Sequence, residues 1–386
     1  MTPGRTRILI VDDSAVMRSL LRSVVSSKAG FEVAGTAADG ASALSVIESL
    51  RPDLVLLDVE MPVMDGLVTL RQLRSRGHKM PVIMCSSLTQ RGARVTIEAL
   101  AGGASDYVAK PTGHPGREAA MQALRLELIP KIQALTGQAP PAVFPGMLRS
   151  PVLAPTPNQA ALLPPLMQPM PAAKSAARLA DPVALVIGVS TGGPAALDIL
   201  LPALPASFAL PVLIVQHMPE LFTSLFAERL NSRCHLPVHE AIEGEPVRPG
   251  TIYIARGNWH LEVVANARMG SARTLHLTQG PPENHCRPAV DVLFRSAAAV
   301  YGAGVFAVVL TGMGSDGMLG CRVVRAQGGS VLAQDEQSSA VWGMPGAVVN
   351  AGLAHKVLSL EAMAPEIIRL AGRTQVEARE LRETAV

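Results

Sequence analysis

Val183-Ala-Leu-Val-Ile-Gly-Val-Ser-Thr-Gly-Gly-Pro-Ala-Ala-Leu-Asp-Ile-Leu-Leu201 decides how the chain is read. Its first seven residues form an unbroken apolar run of strand length, the pattern of a strand covered on both faces. Gly192-Gly193-Pro194 interrupts the run, and Ala195 to Leu201 then has its apolar residues at helical spacing. Proline is at home in the first turn of a helix, so a helix is predicted to begin there. Ser190 therefore stands on a strand-to-helix turn, at the carboxyl end of a strand and near helix N–H groups. Gly188-Val-Ser190-Thr-Gly192 also fits G-x-S-x-G, the turn that presents a nucleophilic serine. Taken alone, these residues equally describe a glycine-rich turn whose serine only caps a helix.

The 386 residues allow two or three domains, and 48% hydrophobic with 17% charged residues describes a globular chain with substantial cores. A net charge of +3 with no basic block, and only 3% aromatics, gives nucleic acid little to bind. Cys85, Cys234, Cys286 and Cys321 are scattered without a C-x-x-C pair, as in free thiols of a reducing compartment. His235 and His239 have the spacing of ligands on a helix, but Pro237 lies between them, so no zinc site is expected. The start of the chain lacks the pattern of a signal peptide, and no apolar run approaches the roughly 18 residues of a membrane span. A cytoplasmic location without membrane insertion is expected.

From Arg5 to about Ile132, apolar runs at Arg7–Val11, Phe31–Gly35, Leu54–Leu57, Val82–Cys85 and Tyr107–Ala109 alternate with amphipathic stretches. That order predicts a parallel sheet with helices on both faces. Asp12 and Asp13, Asp58, Ser86 and Lys110 follow the first, third, fourth and fifth of these runs, so they share the carboxyl edge, where doubly wound sheets bind ligands. Converging carboxylates there call for a hard cation such as Mg²⁺, which shares its coordination with phosphoryl groups. Singly, each residue has a plain structural reading. Together they resemble the receiver domain of response regulators, and Asp58-Val-Glu-Met-Pro-Val-Met-Asp-Gly66 carries the resemblance most specifically. It implies Asp58 as phosphoacceptor and Asp12, Asp13, Asp58 and the Glu60 carbonyl as metal ligands. Ser86 and Lys110 are implied as switch residues, with a cis bond between Lys110 and Pro111.

Eleven prolines and four charged residues between Gln138 and Pro182 predict an extended, semi-rigid linker. After it the α/β pattern resumes. Pro211–Gln216 ends at His217, and Val305–Leu310 ends at Thr311-Gly-Met-Gly-Ser-Asp316-Gly317. Ser190, His217 and Asp316 thus stand at three strand ends, with the residue types of an acyl-transfer triad. Their order, serine then histidine then acid, is not that of the α/β-hydrolases. Gly312 to Gly317 also fits the dinucleotide fingerprint G-x-G-x-x-G, but Asp316 would sit where a pyrophosphate belongs. With Gln216-His-Met-Pro219 and Arg287-Pro-Ala-Val-Asp-Val-Leu-Phe294, these segments resemble the chemotaxis protein-glutamate methylesterases of the CheB type.

The resemblance implies Ser190 as nucleophile, His217 as base and Asp316 as orienting acid, with oxyanion donors at the Thr191 and Met313 N–H groups. Two doubly wound parallel-sheet domains are expected: a receiver (1–135), a Pro/Ala-rich linker (136–181), a Rossmann-like methylesterase domain (182–375) and a charged tail (376–386). Hydrolysis of glutamate methyl esters on methyl-accepting chemoreceptors and deamidation of receptor glutamines follow as the implied activity. The implied phosphodonor is the chemotaxis histidine kinase. Mg²⁺ is needed for phosphorylation and no cofactor for hydrolysis, and a monomer is expected. The alternative is a serine esterase output that acts on a substrate other than a receptor. A non-catalytic output binding DNA or protein fits less well, since no helix-turn-helix pattern is visible and all three triad positions are filled.

Overall fold

The computed structural model describes residues 5–87, 89–111, 116–138, 180–266 and 272–383. Most of the expected linker lies outside these residues, as does the end of the expected tail at 384–386.

The amino-terminal half alternates strand and helix throughout. β1 (Thr6–Val11), α1 (Ala15–Ser26), β2 (Phe31–Ala37), α2 (Gly40–Leu50) and β3 (Leu54–Asp58) come first. α3 (Gly66–Ser75), β4 (Val82–Ser86), α4 (Gln90–Ala101), β5 (Asp106–Ala109) and α5 (Arg117–Leu135) complete it. The strands pair in the order β2-β1-β3-β4-β5, and every pair is parallel. The order reverses beside β1, so the loops after β1 and β3 flank the crevice. Ser14 caps α1 by accepting from the Met17 N–H, so Asp13 is left free of that duty. The expected cis bond at Pro111 is not found; among the described residues the cis peptide is Arg287–Pro288.

The second half starts with β6 (Ala184–Val189), α6 (Gly193–Leu200), β7 (Val212–Gln216), α7 (Glu220–Asn231), β8 (Val238–Glu240) and β9 (Ile252–Ile254). An antiparallel ribbon, β10 (His260–Asn266) with β11 (Ala272–Thr278), follows and stands apart from the main sheet. Then come α8 (Val290–Tyr301), β12 (Val305–Val309), α9 (Met318–Ala326), β13 (Ser330–Gln334), α10 (Met344–Asn350), β14 (Lys356–Leu358) and α11 (Leu360–Glu383). The seven-stranded sheet runs β14-β13-β12-β6-β7-β9-β8, parallel at every pair. Its order reverses at β6, so the ends of β6, β7 and β12 meet at one crevice.

Both sheets are α/β and parallel, as the continuous apolar strands required. β6 and β12 are buried at every position, because helices cover both faces. The core does not stop at the boundary between the halves. Apolar packing runs from Leu70, Ile97 and Leu100 of the receiver into Leu197, Phe222 and Phe226 of the second half. Tyr107 at the start of β5 stacks on Phe222 of α7, with ring centroids 4.6 Å apart.

Candidate functional site

Two clusters of polar side chains stand at sheet edges, and the first is in the receiver. Asp12 and Asp58 end β1 and β3 and are buried, while Asp13 is exposed. All three offer carboxylate oxygens within 4.8 Å of one another. Lys110 Nζ lies 2.9 Å from Asp12 Oδ2 and 2.7 Å from Asp58 Oδ2. Burial, only partly offset by Lys110, pushes the Asp58 carboxyl up to about 6. A single ammonium thus faces two buried carboxylates, and an all-oxygen set of this kind suits a hard divalent cation. Glu60 places its backbone N–H 3.4 Å from Asp58 Oδ1. Ser86 is fully buried, and its hydroxyl accepts from Thr96 Oγ1 of α4 at 2.7 Å.

The second cluster is at the β6–β7–β12 crevice. Ser190 follows β6 and leads into Gly192 and Gly193. Gly192 has φ of 78°, and a Cβ on Gly193 would lie 2.0 Å from Gln216 Oε1, so both positions need glycine. His217 follows β7, and its Nε2 is 2.8 Å from Asp316 Oδ2. Asp316 is almost wholly buried and also accepts the N–H groups of Val290, Asp291 and Gly317. These donors and His217 hold its carboxyl below the usual range even though burial alone would raise it. The loop that resembled a dinucleotide fingerprint is therefore filled by its own aspartate.

His217 has its other ring nitrogen, Nδ1, 3.6 Å from Cys286 Sγ. Burial would lower the imidazole, but the Asp316 and Cys286 interactions outweigh it and push His217 up to about 9. Ligand atoms of His217, Asp316 and Cys286 lie within 4.8 Å of one another, and each ring nitrogen has one of the other two residues as its neighbour. Among the described residues, no hydrogen bond joins Ser190 Oγ to His217. Neither the Thr191 nor the Met313 N–H has a partner among them either.

Four supporting residues were not legible from the sequence. Gln216 Nε2 donates to the carbonyls of both Ser190 and His217, at 3.0 and 3.2 Å, and so ties the candidate nucleophile to the candidate base. Asn284 Nδ2 donates to Asp316 Oδ1 and Asp291 Oδ2, each at 3.0 Å. Asp291, also buried, accepts from the Gly320 N–H at 2.6 Å. Cys286 is the fourth. Adjacency of Gln216 to His217 was the one available signal; Asn284 and Cys286 lie on a turn that periodicity does not report, and Asp291 lies in the first turn of α8.

The cleft over Ser190 and His217, about 870 Å³, is walled on its far side by Asp106, Tyr107, Leu126 and Lys131 of the receiver. Thr191 Oγ1, one residue past Ser190, donates to Asp106 Oδ2 at 2.6 Å. Lys131 Nζ holds the other oxygen of Asp106 at 3.2 Å. The receiver therefore touches the second half beside the candidate nucleophile.

Comparison with known families gives two matches, the CheB methylesterase model over residues 185–367 and the response regulator receiver domain over residues 8–121. A protein-glutamate methylesterase/protein-glutamine glutaminase of a Nocardioides species is 50% identical over 96% of both chains. One of the same name from Trichodesmium erythraeum is 47% identical over 95% of this chain and 99% of its own. The crystal structure of the Thermotoga maritima CheB methylesterase catalytic domain is 41% identical, covers 50% of this chain and all of its own, and has a TM-score of 0.48. With identity of this level along nearly the whole length, the chain belongs to the CheB family of protein-glutamate methylesterases, with a response-regulator receiver domain ahead of its methylesterase domain.

Proposed function

We propose that this chain hydrolyses glutamate methyl esters on methyl-accepting chemoreceptors, releasing methanol, and deamidates receptor glutamines, with Ser190, His217 and Asp316 as the triad. The observation that carries the reading is the 2.8 Å His217–Asp316 pair at the sheet edge where the Ser190 turn ends. Because Asp316 holds Nε2, Nδ1 is the nitrogen left to take the Ser190 proton. Ser190 Oγ then attacks the ester carbonyl, and the oxyanion accepts from the Thr191 and Met313 N–H groups. His217 returns the proton to the departing methanol, or to ammonia from a glutamine. Water, deprotonated by the same nitrogen, attacks the acyl-serine and restores Ser190.

The receiver controls access. Asp58 is the phosphoacceptor, with the chemotaxis histidine kinase as donor. The residues that fit Mg²⁺ are Asp12, Asp13, Asp58 and the Glu60 carbonyl, and the ion would neutralise charge around a transferred phosphoryl group. Lys110 and Ser86 would contact the phosphoryl oxygens. Hydrolysis needs no cofactor in this scheme. No helix among the described residues is long and apolar enough to cross a membrane, which suits a cytoplasmic enzyme that meets receptors at their soluble helices. Ser190→Ala should fold and lose several orders of magnitude in methanol release from methylated receptor membranes, since a triad acts as one unit. Near-normal release by the mutant would overturn the assignment, and release from small esters alone would favour a substrate other than a receptor.

A further inference from the structure

The ring nitrogen that must take the Ser190 proton already has a neighbour. Cys286 Sγ lies 3.6 Å from His217 Nδ1, while Nε2 is committed to Asp316. The sulfur is held there by a turn that the rest of the site fixes. Glu283 and Cys286 exchange both backbone hydrogen bonds, and Asn284 and His285 between them have φ of 50° and 63°, the signs of a type I′ turn. Asn284 pins the turn to Asp316, and Glu283 is paired with Arg295 at 2.6 Å. Arg287 anchors the far side through Asn258 and the carbonyls of Gln279 and Gly280. Cys286 is thus positioned on the base by the same Asn284 that orients the acid.

We propose that Cys286 controls the base of this site: its thiolate pairs with His217 Nδ1 in the resting enzyme and keeps that nitrogen from Ser190. The inference rests on the triad assignment given above. It accounts for the geometry, in which Ser190 Oγ makes no bond to His217 among the described residues, and agrees with an imidazole that Asp316 and Cys286 together push up to about 9 against burial. A protonated Nδ1 cannot accept from Ser190, so its proton must leave to sulfur or solvent before each acylation. The other charged or titratable groups that line the cleft are Asp106, Tyr107, Glu127 and Lys131 from the receiver and Glu220, His285 and Arg287 from the second half. None of them has a hydrogen bond to either ring nitrogen among the described residues; Asp316 and Cys286 do.

The test is the titration of His217 in the full-length protein, followed by NMR of carbon-13-labelled histidine and assigned with His217→Gln. Cys286→Ala should lower the His217 midpoint by about one pH unit, the usual size of a close-neighbour effect. Cys286→Ser, which keeps the shape of the turn, should move it the same way. The acid limb of the pH profile for methanol release should fall by the same amount, so that each variant's rate rises roughly tenfold at a pH below both midpoints. A His217 midpoint that stays in place in both variants would overturn the proposal. If the midpoint moves while no variant, nor the native protein, releases methanol, the thiol–imidazole pairing stands and the esterase assignment fails.

Discussion

Asn284 shows what a single side chain outside the proposed triad contributes. Its amide joins Asp316 to Asp291, two buried carboxylates that would otherwise repel across the site. A hydrogen bond to a charged group is worth roughly 1.5–3 kcal/mol. Asn284→Ala should therefore lower kcat by about ten- to a hundredfold, with KM little changed because the residue orients the acid and not the substrate. A change confined to KM would contradict that role. Protonation of His217 also links the site to stability. Its midpoint in the fold, about 9, is above the unfolded value of about 6.5. The contribution is therefore full below pH 6.5 and is lost as pH rises through 9. Thermal melting of the native protein should fall across that window more steeply than that of His217→Gln; parallel curves would contradict the raised midpoint. Ser190, His217 and Asp316 were legible because each follows an apolar strand. Asn284 and Cys286 were not, because a four-residue turn has no period and the fold alone brings it onto Asp316.

At the scale of elements, β5 and α4 connect the two edges. β5 is four residues long, with Asp106 at its start against Thr191 and Lys110 just beyond its end against Asp58. α4 reaches the other way: Thr96 bonds Ser86, and the helix packs on α6 and α7. A Ser86 hydroxyl drawn toward a phosphoryl group would release Thr96 and free α4 to shift. Asp106→Ala removes the bond to Thr191 and should raise the rate of the unphosphorylated enzyme by about tenfold, since about 1.4 kcal/mol of closed-state preference is a factor of ten. An unchanged basal rate, with the mutant folded, would show that the bond does not hold the closed state. The strand pattern was legible where runs were long and apolar. β8, β13 and β14 are three- or five-residue segments with a polar residue at one end or both, too short to show a pattern. β10 and β11 form a ribbon apart from the main sheet, which nothing in their sequences signals.

Across the whole molecule, two parallel sheets each place their chemistry at a carboxyl edge, and the receiver forms a wall of the cleft over Ser190. The contact is apolar at Tyr107 and Phe222 and polar at Asp106 and Thr191, with a surface ion pair between Arg94 and Glu228 at 3.3 Å. Contacts between domains of one chain can be opened by a modest shift in free energy. Covering and catalysis compete for one surface, so the fraction of open molecules sets the observed rate. A receiver that instead supplied a missing catalytic element would make the isolated second half weaker than the intact chain. The deciding measurement is the initial rate of methanol release from methylated receptor membranes by residues 170–386 beside the unphosphorylated full-length protein. The fragment should be faster, and acetyl phosphate with Mg²⁺ should raise the full-length rate toward it without affecting the fragment. A fragment slower than the unphosphorylated full-length protein would contradict the covering role of the receiver.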